Sequence, residues 1–524
     1  MTDWYLRAEA VNLGNTVYDT NDISTIRGGG FMLLQAVNEI AKSYKSAYLK
    51  KVSIGASAGL FKLEGQNGKD LNENEAEVLR KAVESELLNI TGNHATFVVD
   101  VLYGKNKSFL EVHETLMAMN RRRQFQQLTL PWGNTGKKTN GKWEYGNWEG
   151  DEKACVLGGV WPGTKKEKFR EKEDMVSPSV KFRRDKGRYD RQKIYEKILE
   201  DKVSEKFTDD LEELSDKVPD GYPKNLKGKI AFIYVDGNRF GRTPGKLDSH
   251  ETLSGFDKAV QDDFRKPLLA KIIDYMSKDP ASKIKIEEEK DGKKGKTEKI
   301  RLETLLWGGD EFEWVVPAWK GWQILQMFYE HDQCEPPPDP KDDPRPFYSY
   351  KKNGEEKKHP LTHAAGIVFC HHNSHILHIR RMAHALAEMA KDSLPEFEKM
   401  NHENSDIFRY LVLESQDMVQ GELKAYLPRY YQPADQKSLV VKGAEMARIT
   451  KAMKIIRAHF PRDKVFRIVE AMRHGRVAEV EKIKDKGLKL CDQGARKEVE
   501  KAIADIIVEK NPVTNPAANT GGND

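Results

Sequence analysis

Two short segments hold the residues best suited to chemistry. Tyr234–Gly241 (YVDGNRFG) closes an apolar run with Asp236, and Trp307–Trp314 (WGGDEFEW) carries Asp310 and Glu311 about seventy residues later. A strand ending in Asp236, beside a hairpin tipped by Asp310-Glu311, gathers three carboxylates at one edge of a sheet. Crowded carboxylates repel one another unless cations sit among them. Mg2+ (or Mn2+) takes oxygen ligands and bridges one or two carboxylates to substrate phosphates. Asp236, the Gly237 carbonyl, Asp310 and Glu311 are therefore candidate metal ligands, and Asp236, Asp310 and Glu311 the candidate catalytic set. Gly308 and Gly309 leave room for a nucleotide against the backbone. The arrangement suits two-metal phosphoryl transfer, in which one metal activates a 3′-hydroxyl and the other neutralises leaving pyrophosphate. The Gly-Gly-Asp-Glu string also suits an ordinary β-turn, because Gly and Asp tolerate its backbone angles.

Strands and helices must bring these segments together. Ile230–Val235 (IAFIYV) and Phe312–Val316 read as strands, Ile284–Glu289 and Ile300–Trp307 as strands around a Lys/Gly-rich turn, and Ala364–Cys370 as a buried strand. Phe256–Met276, Trp319–Tyr329 and Ile376–Lys391 read as helices, and Ile407–Leu413 as a last strand. The first part of the chain has a similar alternation: strands at Trp4–Leu13, Val52–Leu60 and Ala95–Tyr103, and helices at Ile26–Lys42, Glu75–Asn89 and Lys107–Arg123. That order predicts layered domains with helices packed on a sheet. The glycine run Gly28–Gly30 at a helix start serves either tight packing or a phosphate cradle of backbone N–H groups. Beyond Gly421 the pattern is helical only, at Ala444–Phe460, Lys464–His474, Val477–Lys484 and Ala495–Glu509, which predicts a small bundle.

The whole chain has 524 residues, with 87 Lys+Arg against 82 Asp+Glu, a net charge of +5. At 38% hydrophobic and 32% charged it is a folded, heavily solvated chain of several domains, with mean hydropathy −0.71. A net +5 does not make a uniform polyanion-binding surface, so nucleic-acid contact has to come from local patches. No apolar run reaches the length of a membrane span, and the start lacks a signal-peptide layout, so a cytoplasmic protein without membrane contact is expected. Cys155, Cys334, Cys370 and Cys491 form no CxxC pair, which argues against disulfides and structural zinc.

The basic patches are Arg121, Arg122 and Arg123 ahead of Phe125, and Arg183 and Arg184 in the charged stretch Lys165–Lys202, where Phe182 and Tyr189 could stack on bases. Both patches read equally as solvated charge, and the stretch 133–225 as an irregular connector with one or two exposed helices. The histidines His371, His372, His375, His378 and His384 suit hydrogen-bonding or nucleotide-edge roles better than a metal site, because a strand-to-helix turn interrupts their spacing.

With GGDEF at 308–312, an upstream strand ending in Asp-Gly, and AGIVFCHH followed by a helix ending AHALAEMAK, the sequence resembles a palm domain. Two families share that domain, the diguanylate-cyclase type and the polymerase-like large subunits of type III CRISPR effector complexes. The second is the closer resemblance, because Asp236-Gly237-Asn238-Arg239-Phe240-Gly241 follows its Asp-Gly-Asp-x-Met-Gly outline, and the Lys and Asn-Asp features of diguanylate cyclases are missing. The resemblance implies an α+β protein: two ferredoxin-like palm domains, a charged connector and a C-terminal helical bundle. The boundaries are 1–132 for a degenerate first palm, 133–225 for the connector, 226–420 for the catalytic palm, 421–510 for the bundle and 511–524 for a disordered tail. It further implies nucleotide contacts from Asn238, Arg239, Phe240 and Gly241 and a phosphate-binding Lys391. The family's N-terminal nuclease and zinc ribbon are not expected.

The implied activity is a nucleotidyltransferase making cyclic oligonucleotides, with ATP as substrate, for antiviral signalling. Its partners would be guide or target RNA and other CRISPR-associated subunits. Two departures bear on this: Asn238 stands in place of a carboxylate, and Glu311 in place of Asp. A non-catalytic RNA- and subunit-binding scaffold is the alternative, and a diguanylate cyclase the third reading.

Overall fold

The computed structural model describes residues 4–43, 49–55, 57–65, 71–126, 137–139, 142–144, 154–158, 161–169, 172–240, 247, 249–290, 293–309, 311–331, 347–352, 355–394, 406–413, 423–427, 440–474 and 476–506. Asp310, Gly241 and Cys334 lie outside them, as does the tail. The chain divides into two compact units, Met1–Val419 and Gln420–Asp524. Among the described residues no helix is long and apolar enough to cross a membrane.

The first unit opens with β1 (Trp4–Val11), α1 (Ile23–Ser43), β2 (Leu49–Ile54), β3 (Ala58–Leu63), α2 (Glu73–Ile90), β4 (Thr96–Tyr103) and α3 (Phe109–Phe125). The four strands form one antiparallel sheet in the order β2-β3-β1-β4. Capping boxes start two of the helices, Asn72 with Glu75 and Ser108 with Glu111, so that orphan N–H groups at each end are met locally. The segment Val52–Leu60, which alternates like a single strand, is instead a hairpin that reverses between Ile54 and Ala58. Small residues at the turn keep the apolar alternation going through it, so periodicity alone hides the reversal.

The charged connector is not merely a solvated surface. Its helices α4 (Pro178–Tyr189) and α5 (Arg191–Leu199) pack into the unit, α4 directly along α1. A Cβ at Gly28 would lie 1.8 Å from the Arg183 carbonyl, and one at Gly187 would lie 1.9 Å from the Ser24 carbonyl. The glycine run is therefore a close helix crossing inside α1, and the phosphate-cradle reading falls. Arg27 and Arg191 converge on the buried Glu303, tying α1 and α5 to the second sheet. An ion triad of this kind stabilises little by itself, but removing Glu303 would leave two buried guanidinium groups without their shared carboxylate.

The second sheet domain follows: β5 (Lys229–Gly237), α6 (His250–Lys258), a π-helical segment Ala259–Arg265, α7 (Lys266–Lys278), β6 (Glu303–Trp307), β7 (Glu311–Pro317), α8 (Ala318–His331), β8 (His363–His371), α9 (Ile376–Lys391) and β9 (Ile407–Val412). Within the first unit the strands run β6-β7-β5-β8-β9, with β9 parallel to β8 and the rest antiparallel. The Lys/Gly-rich region before β6 is a separate hairpin, Lys283–Lys290 with Lys293–Ile300. The central strand β5 is apolar from Ile230 to Val235 and buried on both faces there, which explains its unbroken IAFIYV run.

The first four strands of this sheet repeat the β-α-β-β-α-β order of the first sheet. The two domains also pack reciprocally: α1 against β6, and α6 against β2. Asp257 on α6 accepts from the Ile54 N–H (3.1 Å) and pairs with Lys51 (2.9 Å). The two hairpin turns meet, because a Cβ at Gly309 would come 3.3 Å from Gly55 Cα.

The second unit carries α10 (Met446–His459), α11 (Arg462–Arg473), α12 (Val477–Lys489) and α13 (Arg496–Ile506). Phe460, Ile468, Val480, Ile483, Val499 and Ile503 form its core. Gly487 gives the ring of Phe460 its seat, since a Cβ there would meet it at 2.2 Å.

Candidate active site

The site forms where β5 and β7 lie side by side. Their register sets Asp236 directly opposite Glu311, and Tyr234 opposite Glu313. Side chains alternate along a strand, so these four residues share one face of the sheet. Directly opposed cross-strand residues have Cβ atoms about 5 Å apart. Two carboxylates are thereby placed as neighbours, and Asp310 precedes Glu311 in the sequence.

Helix α9 lies across this face. A Cβ at Gly366 on β8 would fall 1.9 Å from the Ala383 carbonyl, so only glycine lets the helix approach so closely. From that seat Arg380, His384, Glu388 and Lys391, spaced by four, four and three residues, form one ladder along the helix. Lys391 Nζ donates to Asp236 Oδ2, and to Glu388 Oε1 at 3.0 Å. Burial pulls the lysine pKa down, but the Asp236 charge and hydrogen bond outweigh it and hold Lys391 above its ordinary range.

Higher on the ladder, Arg380 Nε donates to Glu313 Oε1 at 2.5 Å, and His384 Nε2 lies 3.0 Å from the same oxygen. Glu313 is wholly buried. The His384 ring stacks on Tyr234 with centroids 3.5 Å apart, and the Tyr234 hydroxyl donates to Glu311 Oε2 at 2.8 Å. Burial first, then the Glu311 and Asp236 carboxylates, hold the Tyr234 phenol well above its usual range, so it remains a donor.

The π-helical segment holds the turn from behind. Gln261 Nε2 donates to the Gly309 carbonyl at 3.0 Å. Arg265, itself buried, donates to the carbonyls of Gly308, Gly309 (3.0 Å) and Glu311 (2.7 Å). Its guanidinium lies 4.6 Å from the Trp307 ring centroid and 4.8 Å from that of Phe312. Such π segments within helices concentrate at functional sites. The turn closes with the Gly308 N–H on the Glu311 carbonyl at 2.7 Å.

Asp236, Gly237, Gly308, Gly309, Glu311 and Lys391 are thus brought together. Others in the expected set are not. Asn238 is buried, and its amide donates to Thr362 Oγ1 at 3.1 Å. Phe240 is a core residue between Phe256 and His363, each 5.3 Å away, because the chain turns inward after the strand. Arg239 is exposed, with φ of 64°. Gly241 and Asp310 lie outside the described residues.

The RNA candidates separate in the same way. Arg183 has no exposed side chain: it pairs with Asp19 through two bonds of 2.8 Å and donates to the Thr16 carbonyl, which removes it from any RNA surface. Arg184 is nearly buried on Glu167 at 2.9 Å. Arg123 pairs with the buried Asp100 at 2.6 Å, whereas Arg121 and Arg122 are exposed. The histidines form no metal cluster, since among the described residues no group of three His, Cys, Asp or Glu could hold an ion.

Sequence reading passed over Tyr234, Glu313, Arg380, Gln261 and Arg265. The polar ladder of α9 carried a usable signal, because its spacing matches the strand residues it faces. The turn-holding role of Arg265 left none, since a buried arginine in a helix has no pattern of its own.

No protein-family model and no curated protein matches the sequence. Solved structures do. A Csm1-Csm4 cassette in complex with cA4 matches with a TM-score of 0.39 and 12% identity, over 87% of this chain and 62% of that one. Csm1 of T. onnurineus matches with a TM-score of 0.41 and 15% identity, over 96% and 70%. The Csm1-Csm4 subcomplex of the type III-A CRISPR-Csm interference complex matches with a TM-score of 0.39 and 11% identity, over 87% and 62%. The chain therefore spans about three-fifths of the length of the first of these.

Proposed function

We propose that the chain is a palm-type nucleotidyl cyclase of the family of polymerase-like large subunits of type III CRISPR effector complexes. It would join ATP through 3′–5′ bonds into cyclic oligonucleotides for antiviral signalling. One observation carries this reading: Asp236 and Glu311 are cross-strand neighbours beside the turn that starts at Gly308-Gly309, with Lys391 on the facing helix. In this reading both sheet domains are ferredoxin-like palms and only the second is catalytic.

The donor set fits a divalent cation. Asp236 and Glu311 are opposed carboxylates, Asp310 precedes Glu311 in the sequence, and with Lys391 paired to Asp236 the three acids would favour a bound cation. Asp236, the Gly237 carbonyl, Asp310 and Glu311 would hold Mg2+ or Mn2+, which when bound supplies the charge that acidifies a 3′-hydroxyl and stabilises leaving pyrophosphate. The chain does the rest. Gly308 and Gly309 let the nucleotide lie against the turn, Arg265 and Gln261 fix that turn, and Lys391 offers its ammonium as a point charge to the triphosphate. ATP as the substrate base, guide or target RNA, and other CRISPR-associated subunits as partners follow the motif resemblance. So does work in the cytoplasm.

A second reading, a non-catalytic RNA- and subunit-binding scaffold, is favoured by Asn238, which is bonded to Thr362 where the family has a carboxylate. Mass spectrometry of products from ATP or GTP with Mg2+ or Mn2+, with and without RNA, separates the two. The cyclase reading expects a cyclic oligonucleotide that vanishes in Asp310→Ala. Product unchanged in that variant removes the assigned site, and RNA binding without turnover supports the scaffold.

A further inference from the structure

The first sheet domain reaches into the carboxylate site of the second. Tyr18, in the loop between β1 and α1, covers the Arg380 guanidinium with its ring at 3.7 Å. Asn21, three residues on, pairs with His375 at 2.8 Å, fixing the same loop against the start of α9. From Arg380 the contacts run inward without a gap. Arg380 and His384 share Glu313 Oε1, the His384 ring stacks on Tyr234, and the Tyr234 hydroxyl holds Glu311.

Glu313 is the hub, and it is held from one side only. Its Oε1 takes both donors, while Oε2 is buried without a hydrogen-bond partner among the described residues. Leaving a carboxylate oxygen buried and unmet costs free energy, so the two donors on the other oxygen carry its placement. The orientation of Glu313 therefore depends on Arg380 and His384, and Arg380 in turn on the aromatic face that Tyr18 presents. A cation held over an aromatic face is attracted by the ring's quadrupole, which restrains the Arg380 rotamer.

We propose that Tyr18 is a positioning residue: through Arg380, Glu313, His384 and Tyr234 it fixes Glu311, so that the first domain completes the carboxylate site of the second. The inference rests on the reading of that site given above. Tyr18 contacts no reacting atom and has no catalytic role of its own. It gives the first domain, which has no Asp-Glu turn, a specific part in the second domain's chemistry.

The test uses the full chain and two readouts: Mn2+ affinity by electron paramagnetic resonance without nucleotide, and kcat and KM for ATP. Asp236→Asn serves as the benchmark for the site itself. Misplacement of a group by about 1 Å can cost a hundredfold, so a partly loosened Glu311 should cost less. Tyr18→Ala is expected to weaken Mn2+ binding and to lower kcat about tenfold with KM for ATP nearly unchanged, and Tyr18→Phe, which keeps the ring, to restore most of both. Glu313→Gln should match Tyr18→Ala in direction.

The two failures are distinct. Mn2+ binding that is indifferent to Asp236→Asn rejects the carboxylate site. A site that is lost in Asp236→Asn yet unmoved in affinity and kcat by Tyr18→Ala rejects the positioning role, as does a Tyr18→Ala effect confined to thermal stability.

Discussion

Where the second domain carries Asp236, the first carries Glu9. Each lies on the central strand opposite the residue that follows a tight turn, Ala58 for Glu9 and Glu311 for Asp236. Each turn closes alike, with the Gly55 N–H on the Ala58 carbonyl at 2.8 Å and the Gly308 N–H on the Glu311 carbonyl at 2.7 Å. The frames agree, and the charges do not. Glu9 is neutralised two residues away on its own strand by Arg7, which also bonds Asn120. At the place of Arg7 the second domain has Tyr234, a neutral donor, and where the first turn has Ala56 and Ser57 the second has Gly309 and Asp310. One domain pairs its strand carboxylate on its own strand. The other sets Asp236 opposite a second carboxylate, Glu311, and pairs it with Lys391 from the facing helix.

The largest expected effect on this comparison comes from the seat of α9. Gly366→Ala drives a methyl into the Ala383 carbonyl and should destabilise the second domain by about 3 kcal/mol or more. Gly14→Ala, in the first domain, meets nothing within 4 Å and should stay within about 0.5 kcal/mol. Thermal unfolding of the two variants checks both. An equal shift would mean that α9 does not depend on that glycine.

His94, in the first domain, provides a pH-dependent contrast. Burial foremost, then Arg183, push its pKa down to about 4 from the ordinary 6.5. The unfolded chain therefore binds a proton that the folded chain refuses between those values, so stability rises with pH across that window. The loss on acidification from pH 6.5 to 4 amounts to about 3 kcal/mol at most, and His94→Gln should flatten the profile of unfolding against pH.

A smaller effect is expected at the turn itself. Arg265→Met removes one of the donors to each of three carbonyls and should cost about 2 kcal/mol, with product formation falling further than stability because the turn after Gly308 loosens. The smallest concerns RNA. Arg121→Ala and Arg122→Ala together should weaken RNA binding a few-fold and reduce the salt slope by about 1–2, whereas Arg183→Ala should act on stability instead, being buried against Asp19.

Much of the second domain was legible because its elements are long and strongly patterned. Ile376–Lys391 has the same ends in sequence and structure, and the Asp236 strand and GGDEF hairpin fall as their residues suggest. What stayed hidden was tertiary. The reversal between Ile54 and Ala58 escaped notice because small residues continue the alternation, and with it went the equivalence of the two turns. Arg183 read as an RNA contact or as solvated charge, because a basic run looks the same whether it faces a phosphate, water or a buried Asp19. Phe240 and Asn238 read as substrate contacts from their place in a motif, while the fold uses one for packing and the other to join Thr362. Sequence shows which residue types are near the chemistry, and only packing shows which of them face it.

The most direct test sets the two matched carboxylates against each other. Product formation from ATP with Mn2+, in the presence of RNA and partner subunits, would be measured for Asp236→Asn and Glu9→Gln beside the unmodified chain. The account predicts a loss of about a thousandfold for Asp236→Asn and a rate within about twofold of the unmodified chain for Glu9→Gln. Product persisting in Asp236→Asn, or an equal loss from Glu9→Gln, would contradict it.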